Sequence, residues 1–377
     1  MGAGAARPLR RGLAVLLAVC LLACGLGAGG GRAERDRRRA AAVRMADFIL
    51  ARQRENGAVA DAADADTVNE DSNMEYALIA LAAAYRRTGA PRYLSGLERG
   101  IAWLAAAETM DGGSWTGSWR YRYDSGGAPL PAPDGCGAAD VRGVDATGAL
   151  FVYLLYLHRQ CAGTAALAAA YRDHAAAALR FLLTRSRTAA GFFASSFRQD
   201  GSGAWRRWDC CYAADQGDVW LGLRAGALLY GDEACAQAAD FLRREVPRAF
   251  FSAARGRYCT ALEDGQQDWS AQGFDPIQSQ GFLPWLWGGT APNRAAVRWL
   301  RRRMDEGRPD EYSLTAAFLA LGERGLGAPS GRAAAWLLAN GWDRDSGGVF
   351  DARSDRTETV NTAAFGVLAL LDWPAGL

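Results

Sequence analysis

The chain alternates between two kinds of helical segment, and no other feature restricts its fold as strongly. The first kind covers about residues 36–54, 92–108, 166–187, 234–246, 293–305 and 330–340, and is rich in Ala and Arg with apolar residues at helical spacing. Several of these segments end in an aromatic-Leu pair, as in Trp103-Leu104, Phe241-Leu242 and Trp299-Leu300. The second kind covers about 71–88, 144–160, 214–230, 275–287, 311–324 and 358–372, and is apolar around most of its circumference. A helix with one apolar stripe lies outside; a helix apolar all round is buried. Strict alternation therefore predicts six helical hairpins, each with an outer and an inner helix. One hairpin alone leaves its apolar face exposed, so the economical solution is a closed ring. The expected architecture is an all-α, α/α toroid occupying residues 40–377 as a single domain, with an open helical solenoid as the alternative. The 50% hydrophobic content of the 377 residues is enough for so large a core.

The first residues fall outside that repeat. Arg7, Arg10 and Arg11 precede an apolar run from Leu13 to Ala23, too short to span a bilayer as a mature helix. The run ends Leu21-Leu22-Ala23-Cys24. It resembles the lipobox of bacterial lipoproteins, which implies a signal peptide over 1–23 and lipidation of Cys24. The chain would then be exported and held to the membrane by an N-terminal lipid, facing the periplasm or cell exterior, with 24–39 as a flexible tether. An ordinary signal peptide cut a few residues later is the alternative. Six further cysteines, Cys136, Cys161, Cys210, Cys211, Cys235 and Cys259, form an even set, and in an exported chain that predicts disulfides of undetermined connectivity.

Composition removes several chemistries. No lysine occurs, so Schiff-base catalysis by lysine and a phosphate loop ending in Gly-Lys-Ser/Thr are excluded. His158 and His174 are the only histidines, which excludes a multi-histidine metal site, and we expect neither metal nor cofactor. A formal charge of +2 argues against a nucleic-acid partner.

The segment Arg99 to Trp115, RGIAWLAAAETMDGGSW, is similar to the QW repeat of terpenoid cyclases and related toroids. Arg99, Trp103, Leu104, Gly113 and Trp115 match the pattern, and Glu108 stands where it has Gln. Phe48 to Val59, with Gln53 and Gly57, and Trp336 to Phe350 are weaker copies. The hairpin count, the Asp-Gly turns and the leader also resemble six-hairpin glycosidases and polysaccharide lyases. These motifs are structural, stapling a helix end to the next turn, and a fold does not dictate a function.

Loop lengths point to one functional face. Outer-to-inner connections are long and inner-to-outer ones short, and in a ring of hairpins all long loops emerge together. Residues 109–142 carry Trp115, Trp119, Tyr121, Tyr123 and Arg142. Residues 189–213 read as a β-hairpin turning at Asp200-Gly201-Ser202-Gly203, with Trp208 and Tyr212 beyond the turn, and 250–274 end near Trp269. Such aromatics serve either as platforms for the apolar faces of sugar rings or as lids on the core.

Acids and amides gather where the inner helices begin. Asp and Ser are ordinary caps there, and Ser72-x-x-Glu75 has the form of a capping box. Capping does not account for the neighbouring Gln216, Gln278, Tyr212 and Trp208. Two facing carboxylates would cleave a glycosidic bond, one protonating the leaving oxygen and the other activating water or attacking the sugar. Asp145 with Asp215 or Asp218 is the expected pair, and Glu75 the reserve. Trp115, Trp119, Arg142, Trp208, Tyr212, Gln216, Trp269 and Gln278 are the expected substrate contacts. A lyase using Tyr212 or a histidine as base and Arg142 against a uronate is a variant of the same reading, although His158 and His174 sit well inside helical segments. The competing functions are a non-catalytic glycan-binding lipoprotein on the same toroid and, less well supported, terpenoid cyclisation, whose Asp-rich motif Asp61-Ala62-Ala63-Asp64-Ala65-Asp66 does not reproduce.

Overall fold

The computed structural model describes residues 32–373 except 63–64, 134–136, 272, 274 and 372. The signal-like segment, Cys24 and Cys136 lie outside the described residues. Helix α1 covers residues 32–51, so it begins inside the stretch expected to be tether. The remaining outer positions are α3 (Pro91–Ala107), α5 with α6 (Ala166–Ala170, Arg172–Phe181), α8 (Glu233–Ala249), α10 (Ala291–Asp305) and α12 (Gly331–Trp336). Two of them, α6 and α12, continue into a wider π-turn, at Leu182–Ser186 and Leu337–Gly341. The inner helices are α2 (Asn73–Thr88), α4 (Asp145–Ala162), α7 (Ala213–Tyr230), α9 (Asp275–Trp287), α11 (Ser313–Gly325) and α13 (Val360–Leu370).

The inner helices form the core because they have almost no polar face. In α2 every residue from Met74 to Ala84 is buried, and α13 is buried from Thr362 to Leu370. Each inner helix packs on the next, and α13 packs back on α2, so the ring closes and the open solenoid is excluded. Glycine sets the closest approaches. A Cβ on Gly222 of α7 would lie 2.3 Å from the Ala149 carbonyl of α4, and one on Gly281 of α9 would lie 2.1 Å from the Phe318 carbonyl of α11.

The long connections carry short antiparallel strands on one face. The expected hairpin is present as Ser196–Gln199 against Trp205–Trp208, and Asp140–Arg142 from the preceding loop adds a third strand. The Asp200 carboxylate accepts from the Ser202 and Ala204 amides at 2.9 and 3.1 Å, which fixes the turn. A second three-stranded sheet joins Cys210–Tyr212, Ala261–Glu263 and Gln266–Asp268.

The glutamine-glycine staple takes physical form here. Gln53 donates to the carbonyls of Gly57 and Gly96 at 3.1 and 2.8 Å, tying the end of α1 to α3. Gln216 and Gln280 do the same from two inner helices. Gln216 accepts from the Phe193 amide and donates to its carbonyl, both at 2.9 Å, and Gln280 grips Tyr258 in the same way.

The expectation of disulfides is not met among the described residues, where Cys161, Cys210, Cys211, Cys235 and Cys259 are all free. Cys210 and Cys211 are consecutive in one strand, where successive side chains point to opposite faces. Four of the five are buried as small apolar side chains, and burial pushes the thiols up, to about 12 for Cys211, Cys235 and Cys259.

Candidate active site

The starts of the inner helices converge on a cavity of about 550 Å³. Its wall takes Asp71 from the turn before α2, Tyr121 from the loop after α3, and Arg198 and Trp208 from the hairpin. Tyr212, Asp215 and Asp218 come from the start of α7, Asp275 and Gln278 from α9, and Asp351 and Asn361 from either side of the α13 N-terminus. Tyr76 of α2 lies at the base, and its hydroxyl donates to the Asp218 carboxylate.

Asp71, Asp215 and Asp218 are not helix caps. Ser72, Val144, Tyr212 and Tyr312 precede α2, α4, α7 and α11, and none makes a side-chain cap bond. The Ser72–Glu75 capping box does not form. Ser72 has φ 64°, not the extended geometry of a capping residue, and its hydroxyl donates to the Asp71 carbonyl at 2.5 Å. The Glu75 carboxyl instead accepts from the Asn69 amide at 3.1 Å.

The carboxylates raise one another. Asp71 is pushed up to about 6 by the protein crowded round it, then by the charges of Asp275 and Glu70. Its side chain is open to the crater, so its loss of hydration is partial. Asp215 is half-buried and is driven well above the ordinary range by burial, then by Asp71, Asp218 and Asp275. Asp218 is driven up by burial, against the lowering effect of the Tyr76 hydroxyl. Asp61, nine-tenths buried on the wall, is raised to about 7 by burial.

The expected site residues divide cleanly. Asp215, Asp218, Trp208, Tyr212 and Gln278 meet on the cavity wall. Asp145 does not reach it. It is fully buried, its carboxylate accepts from the Ala146 amide at 2.9 Å, and the charge of Asp215 adds to burial in raising it. Glu75 is fully buried beneath the turn that carries Asp71. Trp119 is no platform: it is fully buried, with its indole N–H donating to the Leu104 carbonyl at 2.8 Å. Trp115 packs on Phe181, Phe197 and Trp205, and the buried Arg142 guanidinium sits 4.1 Å from its ring centre. Trp269 lies off the wall with Arg255 and Arg257 at 4.5 and 4.9 Å. Gln216 is occupied by the Phe193 backbone.

Asp71 and Asp275 stand among the acids gathered at the inner-helix starts but are not among the expected site residues, and neither are Asp61, Tyr76, Arg198 and Asp351. For Asp71 a signal exists. Asn69-Glu70-Asp71-Ser72-Asn73 is a polar run longer than one helix cap needs. Asp61 stands in the Asp-rich stretch that matches no cyclase motif.

No protein-family model matches the chain, and no curated protein sequence does. Solved structures of similar fold exist. Cellobiose 2-epimerase from Spirochaeta thermophila DSM 6192 superposes with a TM-score of 0.62 at 12% identity, over 90% of this chain and 97% of that one. A D-mannose isomerase gives 0.63 at 13%, over 89% and 97%. An inactive variant of an α-1,6-mannanase of Salegentibacter sp. HEL1_6, in complex with α-1,6-mannotriose, gives 0.59 at 10%, over 89% and 98%. The fold is the α/α toroid. At these identities the likeness shows fold alone, and the chemistry has to be argued from the crater.

Proposed function

We propose that this chain is a carbohydrate-active enzyme that hydrolyses glycosidic bonds, with Asp215 as general acid and Asp71 as the carboxylate that activates water or attacks the sugar. One observation carries the reading: two raised carboxyl groups, Asp215 half-buried and Asp71 open to the crater, share one aromatic-lined cavity. The Asp71 group, at about 6, ionises as pH approaches neutral, while burial and the neighbouring Asp71 charge favour the protonated form of Asp215. Environments that separate two carboxyl groups in this way assign the acid and the base. Asp215 protonates the leaving oxygen as the bond to the sugar breaks. The Asp71 carboxylate takes a proton from attacking water or forms the new bond itself. Trp208 and Tyr212 offer apolar surface to a sugar ring, and Gln278 offers hydrogen bonds to its hydroxyls.

The crater's charge favours an uncharged glycan. Arg198 is the one arginine among the described wall residues, against several carboxylates. The uronate-lyase variant loses its cation, since Arg142 is buried against Trp115. The two histidines pair with Glu98 and Glu108 and are not on the wall. Histidine, the commonest general base, is thus absent from the described wall.

A glycan panel with the parent, Asp71→Asn and Asp215→Asn tests the assignment. Turnover by the parent should fall about 10²–10⁴-fold in each variant. Binding by the parent without turnover favours the non-catalytic alternative, and full activity in both variants overturns the site. We further infer that Cys24 is lipidated. Cys24→Ser should release the protein from the membrane fraction, and unchanged fractionation refutes the anchor.

A further inference from the structure

Four non-glycine residues among those described adopt positive φ, and three of them lie in one short turn: Asn69 at 56°, Asp71 at 50° and Ser72 at 64°. Left-handed backbone costs an ordinary L-residue about 1–2 kcal/mol and Asn or Asp less, yet three such residues within four positions still persist only where their surroundings hold them. This turn presents Asp71 to the crater.

The structure assigns Asn69 and Glu75 as positioning residues, a buried clamp that fixes the strained turn and thereby sets the place of the Asp71 carboxyl. The inference rests on Asp71 acting in the crater as proposed above. Both members of the clamp have no solvent exposure. The Asn69 amide N–H donates to Glu75 Oε1 at 3.1 Å, and its side-chain oxygen accepts from the Met74 amide at 3.1 Å. Asn69 is thus tied by both ends of its amide to the first turn of α2. Two more bonds hold the residues that follow: the Glu70 amide donates to Asp61 Oδ2 at 3.2 Å, and the Asp71 amide donates to the Tyr121 carbonyl at 3.2 Å. The clamp itself never reaches the cavity wall. Neither residue can therefore touch substrate, and any effect on catalysis passes through the backbone.

Burial alone does not explain a carboxyl at position 75. An apolar side chain would fill the site without an orphaned atom, whereas Glu75 Oε2 has no hydrogen-bond partner. Burial first, opposed by its own backbone amide and by the Asn69 bond, and then the charges of Asp61 and Asp71 raise this carboxyl to about 8, so it is largely neutral at pH 7. Its Oε1 then serves as an acceptor that adds no charge beneath the crater. A glutamine offers the same carbonyl acceptor.

The test compares Glu75→Gln, Glu75→Leu and Asn69→Gly. Each is read by the pH titration of the Asp71 carboxyl, through carboxyl-carbon NMR of protein labelled at aspartate, and by kcat and KM on a responsive glycan. Glu75→Gln should keep the Asp71 titration and kcat near the parent's. In Glu75→Leu the turn relaxes toward solvent, Asp71 should titrate closer to the ordinary carboxylate range, and kcat should fall about a hundredfold with KM little changed. Asn69→Gly tolerates the left-handed backbone yet loses both side-chain bonds, so it should behave as Glu75→Leu does even if Leu at 75 impairs folding. An unchanged Asp71 titration in both Glu75→Leu and Asn69→Gly overturns the clamp. The titration needs no turnover, so a parent inactive on every glycan would refute the proposed reaction while the clamp is still decided by NMR.

Discussion

Asp275→Asn should slide the whole pH–rate profile toward acid. The Asp275 charge is the second cause, after burial, of the raised Asp71, and it also raises Asp215. Removing it makes both carboxyls easier to ionise. In kcat/KM the acid limb reports ionisation of the base, and the alkaline limb reports loss of the acid's proton. The parent should therefore lose activity as pH falls through about 6. At pH 5 a group titrating at about 6 is ionised only to roughly one tenth. Burial stays in place, so the variant's acid limb should settle between the ordinary aspartate value of 3.8 and about 6. A limb near 5 would leave half of Asp71 ionised at pH 5, about a fivefold gain relative to each enzyme's own plateau. Asn is also a good residue for the start of a helix, so α9 should begin as before. The assay is kcat/KM from pH 4 to 9 for parent and variant. An acid limb that stays put or moves to higher pH would refute the assignment of Asp71, and a fixed alkaline limb would refute that of Asp215.

Three further outcomes follow from the packing. Gly222→Ala and Gly281→Ala each place a Cβ against a backbone carbonyl, and each should lower unfolding stability by about 1–3 kcal/mol in urea titrations. Trp119→Phe removes the bond to the Leu104 carbonyl and should cost about 1 kcal/mol of stability without changing glycan affinity, while Trp208→Ala should weaken glycan binding by about 0.5–1.5 kcal/mol with little change in melting. Thiol titration without reductant should find at least five reactive thiols in denaturant and far fewer in the native protein, where only Cys161 of the five is not buried.

The ring was legible because its signal is redundant. Six segments apolar all round alternate with six striped ones, and the observed helices follow them to within a few residues, with α1 starting earliest relative to expectation. The face of the site followed from loop length alone. The choice of residues on that face did not. Gln216 and Gln278 look alike in sequence, yet one is consumed by the Phe193 backbone and the other borders the cavity. Trp119 and Trp208 both sit in long aromatic loops, and their separate fates depend on which way each strand turns. Asp145 opens an inner helix as Asp215 nearly does, but it is sealed beneath the crater. Asp71 owes its position to a left-handed turn held by tertiary hydrogen bonds, and propensity does not anticipate such a conformation for an aspartate followed by a serine. The even cysteine count pointed to bridges because pairing was judged from number, whereas the five described thiols are free and four of them serve as small buried apolar side chains.

The same buried carboxyls that prepare the crater should tilt the stability of the whole domain toward mild acid. Glu75 is raised from 4.5 to about 8 and Asp61 from 3.8 to about 7, and Asp145, Asp215 and Asp218 move in the same direction. Each holds its proton when folded and gives it up when unfolded, so the unfolded state binds fewer protons over the interval between the two values. Stability from such a group is complete below its unfolded value and is lost as pH rises toward the folded one. For Glu75, which is fully buried, the interval from pH 5 to pH 7 lies inside that window, and the loss is roughly 2–3 kcal/mol at about 1.4 kcal/mol per unit. Unfolding free energy from urea titration should therefore fall between pH 5 and pH 7, against the common pattern in which paired carboxylates favour neutral pH. Glu75→Gln removes one titrating group and keeps the acceptor for Asn69, so its stability should decline less steeply over the same interval. A parent whose stability rises from pH 5 to pH 7 would show that these carboxyls are ionised in the fold. A Glu75→Gln variant with the parent's slope would show that Glu75 is not among the groups that set it.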